Sequence, residues 1–269
     1  MELELKKECL DTYELGEPQT LTQEETAETI VPDYCPDIAR IISAEGVVCL
    51  HGGTEQDGVT GTVRVTVLYT PENESGVRAL EFAMPFSAQG EGLAGCAHVM
   101  VETEIELLES RMLNPRKIFT RCKLVTHLAG CRKVCLTISS DAETDPALLV
   151  EKRCCGQTVS LLRQVAEKDL TFSETMSLSL GREGAAELLH CRANGIVTET
   201  KAIGNKLIFK GVFLVSALYR TIGGQLASAS AELPFSQIME TDSTEENTQV
   251  SMRLRITGTD IQIDGSDDE

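Results

Sequence analysis

One stretch of this chain occurs twice, and that repeat constrains the fold more than any other feature of the sequence. GTVRVTVLY at Gly61–Tyr69 returns as GVFLVSALY at Gly211–Tyr219. A Pro-Phe-Ser step follows each copy, at Pro85 and at Pro234, and an alternating apolar segment follows each step. The starting glycines lie 150 residues apart and the prolines 149. Landmarks in one order at one spacing predict a tandem duplication.

The repeat divides the chain into two predicted domains, residues 1–140 and 148–269. A polar stretch that includes Pro146 separates them. Each domain is long enough to bury a core without disulfides or metals. The second copy is shorter and diverged, so the sequence predicts either a reduced second domain or a longer parent protein.

The local patterns predict a mainly β fold. Val63, Val65 and Val67 alternate with other residues at a period of two. Turn residues occupy Pro71–Gly76 and the Gly-Gly step at 223–224. Strands and long helical segments do not alternate along the chain. We therefore expect two tandem β-sandwich or open-barrel-like domains.

Two details of this layout are also predicted. Pro85 should end its strand, because proline has no backbone donor for a ladder. The segments FTRCKLVTHLAG and CRKVCLTIS meet at Gly130 and should form a hairpin.

One short helix is predicted in each domain. Asp37 suits an N-cap, Ile38, Ile41 and Ile42 fall on one helical face, and Gly46 suits the C-terminal end. The corresponding segment of the second domain is REGAAELLHCRANG, residues 182–195.

The net charge of −18 argues against nucleic acid and anionic membranes as partners. The acidic runs Gln23–Glu28 and Asp264–Glu269 are typical of solvated faces or tails. Because the chain has neither a signal peptide nor an apolar stretch long enough to span a bilayer, a cytoplasmic protein without membrane insertion is expected. The ten cysteines should then be reduced.

No pattern in the sequence indicates catalysis, a cofactor or a metal. Each of the four histidines stands alone, which favours structural roles: His51, His98, His127 and His190. Cys131 and Cys135 lack a second ligand pair at zinc-site spacing. The chain is therefore predicted to have no catalytic, cofactor-binding or metal-binding residues.

Four charged residues are the candidate partner-binding residues. VPDYCPDI contains two rigid Pro-Asp steps, at Asp33 and Asp37, and NPRKI places Arg116 and Lys117 together in an acidic chain. The Pro-Asp segment forms either a structural corner or a stiff acidic ledge for a partner. The basic pair either neutralises nearby carboxylates, including those of that segment, or docks a partner through charge-assisted bonds.

These motifs carry a resemblance to a known family. VPDYCPDIARII, GTVRVTVLY, MPFS and LNPRKI, in this order, resemble the SPOCS domain family of sporulation proteins. The resemblance covers about residues 1–138. The second domain is similar through GVFLVSALY, LPFS and the final alternating segment.

The resemblance implies a non-enzymatic scaffold of endospore coat assembly. Such a protein is made in the mother-cell cytoplasm and recruited to the spore coat surface. Its implied partners are other spore coat proteins, among them the coat ATPase SpoIVA. Relatives commonly end in a LysM module that engages this ATPase, and no such module is present within these 269 residues.

Two other functions are consistent with the sequence. A self-assembling subunit of a spore-surface layer or fibre would pair exposed strand edges between chains. A glycan-binding β-sandwich would need aromatic platforms, but the chain has no Trp and only four Tyr. Tyr69 and Tyr219 share one repeat position at a strand end, which favours packing over sugar binding.

Overall fold

The computed structural model describes residues 4–51, 58–143, 151, 153, 155–156, 158–174, 184–242 and 248–262. Ten strands and no helix occur in these residues. The strands are β1 Glu4–Leu15, β2 Gln19–Ile30, β3 Ile38–His51, β4 Gly58–Pro71, β5 Arg78–Gln89, β6 His98–Asn114, β7 Lys117–Glu143, β8 Ala185–Ile203, β9 Lys206–Thr221 and β10 Leu226–Glu240. The mainly β prediction is confirmed. The acidic run at 264–269 and Pro146 lie outside the described residues.

The ten strands form three antiparallel sheets. In sheet 1, β7 is central, with β6 on one side and β2 on the other, while β1 pairs with the C-terminal part of β7. Sheet 2 has the order β3-β4-β5, and sheet 3 has the order β10-β9-β8. None of the three sheets closes into a barrel.

Sheets 1 and 2 pack face to face as a sandwich. The first copy of the repeat is β4, the central strand of sheet 2, and its residues Val63, Val65, Val67 and Tyr69 are fully buried. They form one cluster with buried residues of β7, among them Ile118, Cys122 and Leu124. The period-two alternation of the repeat therefore directs one face of β4 into the core.

The predicted helix at residues 37–46 is wrong, because residues 38–46 belong to β3 and Asp37 lies just before it. Ladder irregularities between Ile38 and Arg40 and between Ile41 and Ser43 each insert an extra residue into the strand. These bulges reset the alternation, so that apolar residues spaced three apart share a face of a strand. Strong β propensity of the isoleucines and valines favours the same outcome.

The second predicted helix, at 182–195, is wrong for the same reason. Residues 185–195 lie in β8, whose ladder is irregular between Ala185 and Glu187, between Leu188 and His190, and again near Val197. Bulged strands thus produce a sequence pattern that imitates one face of a helix.

Pro85 does not end its strand, contrary to the prediction. β5 continues to Gln89, and Pro85 pairs directly with Thr62 of β4. β5 is an outer strand of sheet 2, so the missing N–H of proline can lie on its unpaired side. Pro234 occupies the corresponding place in the outer strand β10.

The hairpin predicted around Gly130 is also wrong. β7 runs through this glycine as one continuous strand of 27 residues. A Cβ atom at this position would meet Sγ of Cys96 at 2.5 Å. The glycine therefore permits close packing and does not form a turn.

In both sheet 2 and sheet 3, a phenylalanine ring packs over a glycine on the neighbouring strand. Gly61 pairs with Phe86 across β4 and β5, and Gly211 pairs with Phe235 across β9 and β10. A Cβ atom at either glycine would lie within 2.8 Å of that phenylalanine ring. The Pro-Phe-Ser step thus supplies a ring that covers the glycine of the repeat, and the two sheets share this register.

Segments 158–174 and 248–262 form no strand, although the alternating pattern after the second Pro-Phe-Ser step is typical of one. Half-buried and exposed residues still alternate over 250–256. Leu254 packs over Gly195 of β8, as Ile105 of β6 packs over Gly46 of β3. The final segment therefore covers sheet 3 at the place where β6 covers sheet 2.

Polar contacts join sheet 3 to the sandwich. Glu187 of β8 lies 2.8 Å from Arg220 and 3.5 Å from Arg78 of β5. His190 of β8 lies 3.0 Å from the carboxylate of Glu45 on β3. The other histidines also contact neighbours, His51 with Thr62, His98 with Tyr13 and His127 with Thr20.

Cys9 of β1 and Cys135 of β7 are bonded as a disulfide, with their Cα atoms 5.7 Å apart. The antiparallel register places Cys9 opposite Thr137 and Cys135 opposite Asp11, so the two cysteines are diagonal neighbours. The expectation that all ten cysteines are reduced is therefore wrong for this pair.

Candidate docking surface

The segment 31–38, which we call the Pro-Asp corner, connects β2 to β3 at one end of the sandwich. Its backbone forms a tight turn, in which the N–H of Cys35 donates to the carbonyl of Pro32 at 2.9 Å. The N–H groups of Val31 and Ile38 donate to the carbonyls of Arg116 and Pro115, each at 2.9 Å. The turn between β6 and β7 therefore holds both ends of the corner.

The side chain of Arg116 fills the centre of this corner with four hydrogen bonds. Its guanidinium donates to the carbonyls of Val31 and Cys35, at 2.9 and 2.8 Å. It also donates to the carboxylates of Asp33 and Asp37, at 3.1 and 3.0 Å. A planar fork with several donors suits such a site, whereas a lysine ammonium would not reach all four acceptors.

The structure thus brings three of the four candidate residues together. Asp33, Asp37 and Arg116 meet in the corner, with the Asp33 side chain fully exposed. Lys117 lies one residue away in β7 and forms an ion pair with Glu28 of β2. Asp37 is not a helix N-cap, and the interpretation in which the basic residues neutralise nearby carboxylates matches these contacts. Binding of a partner by the four residues stays a prediction.

Tyr69 supports the corner from the core side. Its hydroxyl donates to the carbonyl of Pro36 at 3.2 Å, and its side chain is fully buried between the sheets. Burial raises the pKa of Tyr69 to about 12, because an ionised phenol in this place would be poorly solvated. The ring at the end of the first repeat therefore packs under the candidate site.

The raised pKa of Tyr69 predicts a loss of stability in alkali. Unfolded Tyr69 releases its proton near pH 10.0 and folded Tyr69 near pH 12. Between these values the unfolded state binds fewer protons, so the free energy of unfolding falls as the pH rises. In Tyr69→Phe, we expect the free energy of unfolding to decrease less steeply with pH. At every pH it should also be lower by about 1 kcal/mol, because the hydrogen bond to Pro36 is missing. Urea unfolding at pH values across this window measures both, and equal slopes would contradict the assignment.

Exposed apolar side chains surround the corner. Tyr34, between the two Pro-Asp steps, is 88% exposed, and Ile30 at the end of β2 is 71% exposed. Met112 and Leu113, which precede the β6–β7 turn, are each more than 40% exposed. Sequence reasoning missed these residues, although a tyrosine held between two prolines was a usable signal. Large exposed apolar residues on a rigid, polar-rimmed element are typical of interaction sites.

The thiols near the core are not activated. Burial raises the pKa of Cys122 to about 11 and raises those of Cys131 and Cys191. A protonated buried thiol is neither a good nucleophile nor a metal ligand. Among the described residues, no group of three or more His, Cys, Asp or Glu side chains is placed to hold a metal ion. In the same part of the chain, no helix has the length and apolarity needed to cross a membrane.

The fold and site define an all-β protein with a rigid surface corner. A family model described as "SipL, SPOCS domain" matches residues 185–264, which include sheet 3 and the segment that covers it. This match confirms the resemblance to the SPOCS family over residues 185–264 and supports a sporulation-related protein. It lies in the domain that was predicted to carry less of the resemblance. No match was found among curated proteins or among solved structures.

Proposed function

We propose that this protein is a non-enzymatic interaction scaffold of endospore coat assembly. The family match over residues 185–264 supports a role in sporulation. The observation that favours a scaffold is the Pro-Asp corner, where one arginine fixes a loop that exposes a tyrosine and a carboxylate. The protein would be made in the mother-cell cytoplasm and recruited to the surface of the developing spore.

The partner would be another coat protein that binds at the corner. Tyr34 offers a large apolar surface with little side-chain entropy to lose, and such residues dominate many interfaces. Asp33 presents an exposed carboxylate beside it, while Lys117 and Asp37 rim the site. A segment with an apolar anchor and a basic residue fits this surface, and the coat ATPase SpoIVA is one candidate partner.

Two domains related by duplication would strengthen this role. The shared order of sheets 2 and 3, and the shared Gly-Phe register, support the proposed duplication into domains 1–140 and 148–269. Linked modules raise the effective concentration of a second contact once the first has formed. The corner belongs to the first domain, so we expect specific contacts mainly there.

The first experiment is the localisation of a fluorescently tagged copy in sporulating cells of the source organism. The scaffold proposal expects a shell of signal around the forespore. A diffuse signal throughout sporulation, or expression confined to growing cells, would count against the proposal.

Substitution of the exposed tyrosine tests the corner itself. We expect Tyr34→Ala to reduce recovery of coat proteins in pull-downs from sporulating cells by at least about tenfold, the loss of one interface hot spot. Thermal stability should change little, because the side chain is 88% exposed. Ile222→Ala is the matched control, since Ile222 is 73% exposed but lies in the β9–β10 turn. Equal recovery by both variants would remove the corner from the proposal.

A further inference from the structure

Among the described residues, no strand pairs with the outer edge of β10, and the direction of its backbone groups can be established. At the two ends of the β9–β10 hairpin, Thr221 N–H donates to Gln225 O and Thr241 N–H donates to Asn205 O. These bonds show that the backbone N–H and C=O groups of the odd-numbered residues of β10 point toward β9. Because backbone groups alternate along an antiparallel strand, those of the even-numbered residues point outward. The carbonyl of Ile238 accordingly accepts from Nζ of Lys168 at 2.8 Å, outside the sheet.

Pro234 agrees with this assignment. It is even-numbered, so the position that lacks a donor faces outward and costs the sheet no hydrogen bond. The β9–β10 ladder runs through it without a register shift. The outward edge from Leu226 to Glu232 is therefore straight, and the described part of the chain gives it no strand partner.

Residues 226–232, which we call the β10 edge segment, lack the usual protections of an outer strand. The sequence LASASAE has no proline or bulge and only one charge, Glu232. Ala227, Ala229 and Ala231 lie on one face and serines on the other, so no large side chain blocks an approaching strand. By contrast, the corresponding part of the outer strand β5 carries charges at Arg78 and Glu81, and β8 has three ladder irregularities.

We propose that the β10 edge segment is a self-association surface that pairs antiparallel with the same segment of a second copy. With Ala229 of both copies on the two-fold axis, Ser228 faces Ser230 of the second copy. In the same register, Leu226 faces Glu232 of the second copy. Leu226, Ser228, Ser230 and Glu232 are even-numbered and direct their backbone groups outward, so each of these two facing pairs can exchange two hydrogen bonds.

Charge favours a second copy as the occupant of this edge. The chain carries a net charge of −18, so two copies repel each other over most of their surfaces. The β10 edge segment is nearly uncharged, and the proposed register places neither Glu232 opposite another carboxylate. Pairing would join two three-stranded sheets into one continuous sheet of six, with the hydrophobic face of sheet 3 extended across both copies. This inference is independent of the coat role, because it concerns the purified protein alone.

Sedimentation equilibrium of the purified protein tests the proposal. We expect a reversible monomer–dimer equilibrium that shifts toward dimer as salt screens the repulsion between copies. Ser228→Pro should weaken dimerisation by at least about tenfold, because it removes an outward N–H and places a ring in the pairing edge. The sheet itself should survive, since Pro234 is accommodated at an equivalent outward position.

The matched control is Ser236→Pro, which changes the same residue type at an outward position of β10 that lies outside the paired segment. Circular dichroism checks that both variants keep their strands. A strict monomer at every concentration and salt level would overturn the proposal, and so would equal dissociation constants for the two proline variants. Ala229→Cys gives a further check under mild oxidation. A disulfide between the two copies of residue 229, identified by peptide mass spectrometry, supports the register, and failure to form it in a confirmed dimer overturns the register.

Discussion

Replacement of Arg116 by alanine is expected to lower the free energy of unfolding by about 3 kcal/mol, a large effect for one partly exposed side chain. The substitution removes the donors to the carbonyls of Val31 and Cys35 and the counter-charge of two carboxylates. The carbonyls face the interior of a tight corner, where loss of a partner costs more than it would on an open surface. Chemical denaturation followed by circular dichroism measures the change.

Two controls separate the geometry of Arg116 from its charge. Arg116→Lys keeps the charge but offers one compact donor group, so most of the loss should remain. Arg121→Ala removes an arginine of comparable exposure, 43% against 33%, that pairs with Glu24 on the outer face of sheet 1. An exposed ion pair of this kind contributes little to stability, because solvent screens it. If Arg116→Ala cost no more than Arg121→Ala, Arg116 would not organise the corner.

Arg116→Ala should also reduce the proposed binding, and by a different route from Tyr34→Ala. Without the arginine, nothing fixes the turn that presents Tyr34, so a partner must order the loop as it binds. Hydrogen exchange of the Cys35 and Ile38 amides is expected to rise in Arg116→Ala and to stay unchanged in Tyr34→Ala. This difference in hydrogen exchange distinguishes a disordered corner from an ordered corner that lacks its contact residue.

The repeat and its turns could be predicted from the sequence because both depend on local chemistry. The period-two valines of β4 face the core, and the Gly-Gly step at 223–224 forms the β9–β10 turn. The contact between the Pro-Asp segment and Arg116 was also accessible as a hypothesis. Few basic residues occur in this acidic chain, and a rigid pair of carboxylates predicts a cation nearby.

The predictions that were wrong concern features that depend on how distant strands pair. The isoleucine spacing of β3 imitates a helix because bulges reset its alternation, and bulges cannot be read from one strand alone. Gly130 resembles a turn residue, yet Cys96 from another segment packs against it. Pro85 resembles a strand end, yet its strand lies at the edge of a sheet, where a missing donor is tolerated. Strand order was the missing information in each case.

The second substitution with a large expected effect on stability is at Gly211 of β9, the first residue of the second copy of the repeat. A Cβ atom at this position would lie 2.6 and 2.8 Å from ring atoms of Phe235 and would clash with the carbonyl oxygen of Ile196 on β8. The ring can move, but the carbonyl belongs to the ladder that joins β8 to β9. We therefore expect Gly211→Ala to destabilise the protein by about 3 kcal/mol, the upper range of overpacking effects. Thermal and urea unfolding measure the loss.

Comparison with other glycines makes the Gly211 prediction specific. Gly258→Ala is the control, because a Cβ atom there meets no atom within 4 Å and should change the stability by less than about 0.5 kcal/mol. Gly61→Ala should behave like Gly211→Ala, since Phe86 and the carbonyl of Cys49 crowd it in the same way. Combining Gly211→Ala with Phe235→Leu relieves the ring contact and leaves the carbonyl contact. The double substitution should therefore lower the free energy of unfolding by about 1 kcal/mol less than the sum of the two single substitutions. Strict additivity would mean that the phenylalanine of the Pro-Phe-Ser step does not pack on the glycine of the repeat.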